Sequence, residues 1–191
     1  MITPDDIVTI RPTLEQCRIA WANAKEACIG GHSAVRNDKK ERSDKLLNDQ
    51  MIGQLGHMVG SIYLFESIDP YVEAREYANT HPFKGDSGAD FLFGPNLDVK
   101  TSQMRRSKDP LTYNFLLRPR ERHLDNLYLQ ALVEDLPGKD ELYEVHLVGW
   151  CWEHEVPCQK TYGGIFDGAY VLPVVDLNPL PKILNVLADL I

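Results

Sequence analysis

The stretch of residues 85–102 constrains the fold of this chain most, because two short apolar runs flank a turn and charged residues interrupt them. Gly94-Pro95-Asn96 is a strong turn pattern, and the flanking runs have the length of β-strands. The stretch therefore predicts a β-hairpin in which Phe93 faces Leu97. A bulge in the three-residue turn would shift this register by one residue.

The hairpin predicts a cluster of three charged side chains. Side chains alternate between the faces of a strand, so Asp98 and Lys100 point the same way and Val99 points the opposite way. Counting back from the turn places Asp90 opposite Lys100, at a Cβ separation of about 5 Å. Asp90, Asp98 and Lys100 would then lie together. The side chains expected to pack behind them are those of Phe91, Phe93, Leu97 and Val99.

Such a cluster has the chemistry of a divalent metal site. Two carboxylates on neighbouring strands are hard oxygen ligands, which suit Mg²⁺ or Mn²⁺. A lysine beside them can orient an attacking water or offset charge that develops on a phosphate. The alternative is a surface hairpin with a cross-strand salt bridge, worth about 0–1 kcal/mol. Aspartate is disfavoured in strands, so two aspartates within apolar strands favour the metal site.

The order of these residues resembles a known motif. Asp90, followed after seven residues by Asp98-Val99-Lys100, resembles the active-site pattern of the PD-(D/E)XK nuclease superfamily, which has the restriction-endonuclease-like fold. The sequences of residues 85–91 and 98–102 are similar to a subset that is common in phage and bacterial proteins. Residues 125–133 and 144–150 look like the later core strands of that subset.

The resemblance implies an α/β fold with a mixed central sheet flanked by helices. It implies that Asp90 and Asp98, with the carbonyl of Val99, hold one or two Mg²⁺ or Mn²⁺ ions. It also implies that Lys100 positions the nucleophilic water and that the reaction is hydrolysis of phosphodiester bonds in DNA. DNA and a divalent metal are thus the expected partners, and a homodimer is left open.

The predicted helix before the hairpin departs from the family pattern. The family often supplies a further acidic ligand there, commonly as Gly-x-x-Gly-Glu, whereas this chain has Gly53-Gln54-Leu55-Gly56-His57. His57 could bind metal, contact a phosphate or transfer a proton, since the ordinary pKa of histidine lies near neutrality. Alternatively, it packs against the sheet without a catalytic part. Asp86 is a further candidate ligand, although an ordinary turn aspartate is the better interpretation.

The charge distribution limits where nucleic acid could bind. The formal net charge of −8 argues against a general polyanion binder. Binding of nucleic acid needs only a local basic surface, however. Arg105 and Arg106 follow the predicted Asp98–Lys100 strand, and Arg118 and Arg120 form a second cluster. These four arginines are the predicted DNA contacts, and a solvated charged surface is the alternative for each.

The 191 residues fit a single domain with a substantial core. We expect a helical N-terminal extension at residues 1–42 and the core at residues 43–191. A helix at 43–66 carries a strip of glycines that could let it lie close to a sheet, and the alternative is a weak helix with a kink. The resemblance implies that this placement brings His57 near Asp98. Further helices are predicted at 12–29 and 179–191, and further strands at 111–118, 126–135, 142–152 and 170–174.

No apolar run approaches the about 20 residues that a membrane span needs, and the N-terminal residues lack the basic and apolar regions of a signal peptide. We therefore expect a cytoplasmic protein without a membrane partner. The leading functional hypothesis is a metal-dependent deoxyribonuclease. The alternatives are a catalytically inactive nucleic-acid- or protein-binding module on the same fold, and a metallohydrolase that acts on another phosphate substrate.

Overall fold

A computed structural model describes residues 1–29, 41–80, 90–92, 96–134, 143–158 and 168–189. Asp86, Phe93 and most of the predicted turn lie outside the described residues. The helices are α1 (Leu14–Ile29), α2 (Glu41–Phe65), α3 (Asp69–Thr80) and α4 (Pro181–Ala188). The strands are β1 (Val8–Ile10), β2 (Leu97–Gln103), β3 (Asn114–Leu117), β4 (Leu127–Val133), β5 (Val145–Trp152) and β6 (Tyr170–Pro173).

A four-stranded mixed sheet forms the centre of the fold, with the strand order β1-β5-β4-β2. Strands β2 and β4 run parallel, whereas β5 is antiparallel to both β4 and β1. The apolar runs of β4 and β5 are buried along almost their whole length, as expected for strands covered on both faces. The prediction of an α/β fold with a mixed sheet is confirmed.

Helices cover one face of this sheet, which we call the helix face. Buried residues of α1, α2 and α4 join one core with the side chains that β2, β4 and β5 direct toward them. Helix α2 approaches β2 closely at Gly56, where an added Cβ would lie 1.9 Å from Oγ1 of Thr101. At Gly60, an added Cβ would lie 3.1 Å from Val99. The glycines therefore set how closely the helix packs on the sheet, as the sequence predicted.

The opposite face of the sheet, which we call the strand face, carries a second core. Strands β3 and β6 pair antiparallel in a separate two-stranded sheet. Phe115 and Leu117 of β3 pack with Tyr128, Leu132 and other buried residues of the second core. Asp98 and Lys100 lie on the strand face, because they alternate with Val99, which faces the helices.

An irregularity divides β5 into two segments. Gln130 pairs with Gly149 and Ala131 pairs with Leu147, so β5 carries one extra residue at Val148. Gly149 has φ +158°, and an added Cβ would lie 2.8 Å from Cβ of Leu177 and 2.9 Å from the Asn178 carbonyl oxygen. Only glycine fits here, because Trp150 and Asn178 exchange backbone hydrogen bonds directly beside it.

The first 29 residues belong to the core rather than to an extension. Strand β1 pairs with β5, and α1 contributes Cys17, Ala20 and Ala24 to the helix-face core. The described part of the predicted extension is therefore integrated in the domain. A strand of three residues is too short for its periodicity to be recognised from sequence. Within the described ranges, no helix has both the length and the apolar character needed to cross a membrane.

Candidate functional site

Asp98 and Lys100 form an ion pair on the strand face of β2. Nζ of Lys100 lies 2.7 Å from Oδ2 of Asp98, and the two side chains are only 18% and 10% exposed. Asp98 is level with Tyr128 in the parallel ladder, and the Lys100 ammonium lies 5.9 Å from the centre of the Tyr128 ring. The predicted alternation of faces is thus present, and it brings these two side chains together.

The surroundings of Lys100 keep it protonated. Burial lowers the pKa of Lys100, but the charge and hydrogen bond of Asp98, together with the charges of Glu121 and Asp90, outweigh burial. The net result is a pKa above the ordinary value of 10.5. Lys100 is therefore an ammonium ion at neutral pH. It can donate hydrogen bonds and offset negative charge, but it cannot act as a base there.

Asp90 forms two hydrogen bonds with the edge of β2. Its backbone nitrogen donates to the carbonyl of Leu97 at 2.8 Å, and its Oδ2 accepts from the backbone nitrogen of Val99 at 2.7 Å. Residues 90–92 form a bend rather than the predicted strand. The predicted pairing of Asp90 with Lys100 is therefore wrong, because the carboxylate occupies the amide that a neighbouring strand would have used.

The backbone of β2 presents Val99 toward Asp90. Alternate residues of a parallel strand turn their N–H and C=O groups to the same neighbour. The Asn96 carbonyl accepts from Leu127, and the Met104 nitrogen donates to Val133, so the even-numbered residues face β4. The carbonyl of Val99 consequently points to the outer edge of β2, on the side where Asp90 lies. Two carboxylates and one carbonyl therefore flank the first half of β2.

His57 lies near Asp90 on the helix face, whereas Asp98 is on the strand face. Its Nδ1 is 3.8 Å from Oδ1 of Asp90, and its ring makes edge contacts with Tyr71 and Phe91. Burial lowers the pKa of His57 to about 4, although the negative charge of Asp90 acts in the opposite direction. The imidazole is therefore neutral at pH 7, and its contact with Asp90 is not an ion pair.

The position of His57 favours the interpretation as a packed helix residue. Only 3% of the residue is exposed, and its Nε2 has no hydrogen-bond partner among the described residues. Beside it, the Tyr71 hydroxyl donates to Gln54 and accepts from Asn23, both at 2.8 Å. This apolar and hydrogen-bonded pocket separates the imidazole from water. Its described neighbours are thus the rings of Tyr71 and Phe91 and the carboxylate of Asp90.

Arg75 of α3 is a site residue that sequence reasoning missed. One of its terminal nitrogens lies 4.0 Å from Oδ1 of Asp90, and its buried Nε has no hydrogen-bond partner among the described residues. Asp69-Pro70 marks the beginning of this helix and is a recognisable sequence pattern. Nothing in the sequence, however, indicates that α3 would bring a guanidinium to Asp90.

Glu121 is a second missed residue, located in a 3₁₀ turn at Pro119–Glu121. The carbonyl of Glu121 accepts a hydrogen bond of 2.9 Å from the Tyr128 hydroxyl, and its charge raises the pKa of Lys100. This turn also carries two of the predicted DNA contacts, Arg118 and Arg120, which are exposed. Arg118 forms an ion pair with Glu121 at 3.2 Å. The turn is thus connected through Tyr128 to the Asp98–Lys100 pair.

The other two predicted DNA contacts lie farther away. Arg105 and Arg106 follow the end of β2 and are exposed. Five residues of extended strand place Arg105 about 16 Å from Lys100 along the chain direction. The Nε of Arg105 donates to Gln103 at 2.7 Å. Arg105 and Arg106 therefore lie beyond the end of β2, away from the Asp98–Lys100 pair.

The donor set fits a magnesium-type ion in its chemistry, with few protein ligands. Mg²⁺ is commonly held by one or two carboxylates and several waters, which matches Asp90, Asp98 and the Val99 carbonyl. Within the described ranges, one group of three His, Cys, Asp or Glu residues has its ligand atoms within 4.8 Å of one another. It consists of Glu134, Glu144 and His146 and does not include Asp90 or Asp98.

Comparisons of the chain with protein-family models, with curated proteins and with solved structures gave no match.

Proposed function

We propose that the protein is a metal-dependent nuclease of the restriction-endonuclease-like fold that hydrolyses phosphodiester bonds in DNA. The observation that carries the proposal is the buried Asp98–Lys100 pair, with Asp90 bonded to the intervening residue at Val99. Two carboxylates, one carbonyl and one ammonium are thus gathered around three consecutive residues of a strand. A salt bridge on a surface hairpin would not bury both partners in this way.

Asp90, Asp98 and the Val99 carbonyl would hold Mg²⁺ or Mn²⁺. When bound, the ion would polarise the phosphate and lower the pKa of a coordinated water. The carboxylates supply the negative charge that a dication requires, and Asp90 is fixed in place through Val99. The 26% exposure of the Asp90 side chain leaves a route from solvent to its carboxylate.

Lys100 would orient the attacking water and stabilise charge on the phosphate. Its raised pKa excludes the role of general base at neutral pH. An ammonium in a largely buried position acts more strongly on a nearby phosphate than the same group in water. Arg75, one of whose terminal nitrogens lies 4.0 Å from Oδ1 of Asp90, would add positive charge beside that carboxylate.

The basic residues next to the site fit a local contact with DNA. Arg118 and Arg120 would contact phosphates on either side of the scissile bond, while the overall charge of −8 limits contact elsewhere. A phosphate contact lowers the dependence of affinity on sequence and raises its dependence on salt. Arg105 and Arg106 would contact more distant phosphates.

A cleavage assay with Mg²⁺ or Mn²⁺ on plasmid, linear and single-stranded DNA tests the proposal. We expect Asp98→Asn and Lys100→Met to lower the rate by at least about 100-fold, while circular dichroism shows a retained fold. Lys182→Met, at an exposed lysine of α4, serves as a matched charge control and should keep most of the rate. Cleavage that persists in both site variants would exclude the proposed site.

A non-catalytic nucleic-acid- or protein-binding module on the same fold is the second candidate. It is favoured by His57, which stands where the family often has an acidic ligand and is neutral and enclosed. DNA binding without cleavage under any divalent metal would support this candidate. Turnover of small phosphodiesters without turnover of DNA would instead indicate a metallohydrolase of another substrate class.

A further inference from the structure

A second group of ligand-type side chains lies at the far end of the central sheet. Glu134 follows β4, Glu144 precedes β5, and His146 is the second residue of β5. One ligand atom from each of these residues lies within 4.8 Å of the other two. The group is on the strand face, about 20 Å along β4 from Tyr128, since each strand residue advances about 3.3 Å. It is therefore separate from the Asp98–Lys100 pair.

The backbone brings the two glutamates face to face. The Glu134 nitrogen donates to the Glu144 carbonyl at 3.1 Å, which continues the pairing of β4 with β5 by one step. Like charges directly opposite each other across two strands repel. Arg11 forms an ion pair with Glu144 and compensates one of the two charges, but its side chain is 68% exposed. Glu134 lies opposite on the end of β4, and the other cluster residue beside it is His146.

The imidazole of His146 is oriented as a metal ligand would be. Its Nδ1 is 2.8 Å from Oγ1 of Thr9 on β1. If Nδ1 donates to this hydroxyl, the lone pair of Nε2 is free to bind a cation. Nε2 is buried, has no hydrogen-bond partner among the described residues, and lies 3.6 Å from Oε1 of Glu134. Only 8% of the residue is exposed.

The distance between Nε2 of His146 and Oε1 of Glu134 fits two ligands of one zinc-type ion better than it fits a hydrogen bond. A separation of 3.6 Å exceeds the usual range of N–H···O bonds, which ends at about 3.2 Å. Two ligands bound to zinc at about 2.0–2.1 Å with tetrahedral geometry lie about 3.3 Å apart. A histidine nitrogen with two carboxylates selects transition metals over Mg²⁺ or Ca²⁺. A dication would also neutralise the repulsion between the two glutamates.

We propose that Glu134, Glu144 and His146 bind one zinc-class divalent ion. Three protein ligands leave a fourth position for water or another small ligand, as in exchangeable zinc sites. Thr9 acts as a positioning residue, because its hydroxyl sets which nitrogen of His146 is free. The ion connects the ends of β4 and β5 directly, and β1 is connected to it through the contact of Thr9 with His146.

Titration of the metal-free full-length chain with ZnCl₂, against a chromophoric competitor, tests this proposal. We expect one tightly bound zinc ion per chain, distinct from any weaker ion at Asp90 and Asp98, with its affinity lowered more than about 100-fold by His146→Ala and about 10–100-fold by Thr9→Val. His154→Ala and Cys158→Ser are matched controls, since both residues are exposed and distant from the group, and neither should change the affinity. Equal zinc affinity in wild type and His146→Ala would overturn the proposal.

X-ray absorption on the wild-type zinc complex gives a result that does not depend on the folding of any variant. A first shell of one imidazole nitrogen and oxygen ligands supports the site. A shell that contains sulfur would assign the ion to the cysteines and exclude the site, and so would the absence of a bound ion. If His146 only bridges the two glutamates by hydrogen bonds, no ion will be found.

Discussion

The carboxylate of Asp90 accepts a hydrogen bond of 2.7 Å from the backbone nitrogen of Val99, so a side chain takes the place of a strand at the edge of β2. This contact gives Asp90 a structural part in addition to the proposed catalytic one. The two parts can be separated, because the hydrogen bond needs an acceptor oxygen and the metal needs a negative charge.

Asp90→Asn and Asp90→Ala should therefore differ in stability. Asparagine keeps an acceptor for the Val99 amide, so the free energy of unfolding should fall by less than about 1 kcal/mol. Alanine leaves that amide without its partner and should cost about 1–3 kcal/mol. Both variants should lose metal-dependent cleavage. Urea unfolding and the cleavage assay measure the two effects, and equal stability losses in both variants would argue against the structural part.

Gly56→Ala should destabilise the protein, and Gly53→Ala should not. An added Cβ at Gly56 meets Oγ1, Cγ2 and Cβ of Thr101 at 1.9–2.8 Å, and overpacking of this kind costs about 1–3 kcal/mol. An added Cβ at Gly53 meets nothing within 4 Å, so the gain in helix propensity should stabilise α2 by about 1 kcal/mol. Thermal and urea unfolding of the two variants provide the comparison. A stabilised Gly56→Ala would mean that α2 does not lie against β2 as described.

Lys100→Met should lower the free energy of unfolding by about 3 kcal/mol at neutral pH, because it leaves Asp98 largely buried without its cation. The pKa of Lys100 is raised in the folded state, so the pair stabilises the fold below the unfolded value of 10.5. This contribution is lost as the pH rises through the folded pKa. Urea unfolding on both sides of pH 10.5 should show the difference between wild type and variant shrinking at high pH.

His57 should make the fold sensitive to acid. Its pKa is about 4 in the folded state, against an ordinary 6.5, so the unfolded chain binds a proton first as the pH falls. Stability should decrease between pH 6.5 and about 4, by at most about 3 kcal/mol, and should not depend on this group above pH 6.5. His57→Gln should flatten that part of the stability profile. A titration of His57 near 6.5 by NMR would contradict the burial argument.

Arg11→Gln should tighten zinc binding at Glu134, Glu144 and His146. Arg11 competes with a cation for Glu144, but its side chain is 68% exposed and the pair is screened by water. A surface pair contributes up to about 1 kcal/mol, which corresponds to an affinity gain of up to about fivefold. The same competition titration measures this gain. A weaker affinity in Arg11→Gln would show that Glu144 is not available to the ion.

Much of the fold could be predicted because its long elements carry strong periodic patterns. The apolar stripe and glycine strip of α2 and the apolar runs of β4 and β5 indicated their type and approximate bounds. The pairing of Asp98 with Lys100 on one face also followed from the alternation of side chains along a strand. These predictions depend only on residues within one element.

The remaining features depend on contacts between distant residues. The bend at Asp90 forms because its carboxylate reaches the Val99 amide, which no strand propensity reveals. Helix α3 brings Arg75 to Asp90, and the turn of Glu121 comes beside Lys100, only through tertiary packing. The zinc-type group was missed because Glu134 and Glu144 are separated by a connection, and only the pairing of β4 with β5 places them opposite each other.

Because of the extra residue at Val148, odd-numbered residues face the helices in the first half of β5 and even-numbered residues face them in the second half. Leu147 and Trp150 both face the helices although three positions separate them, because the bulge inserts one step into the alternation. Deleting Gly149 would restore strict alternation and would leave Trp150 on the helix face and Cys151 on the strand face, because Val148 alone would then separate Leu147 from Trp150. The bulge thus accommodates one extra residue in β5 without exchanging the two faces of the sheet end that carries Asp98.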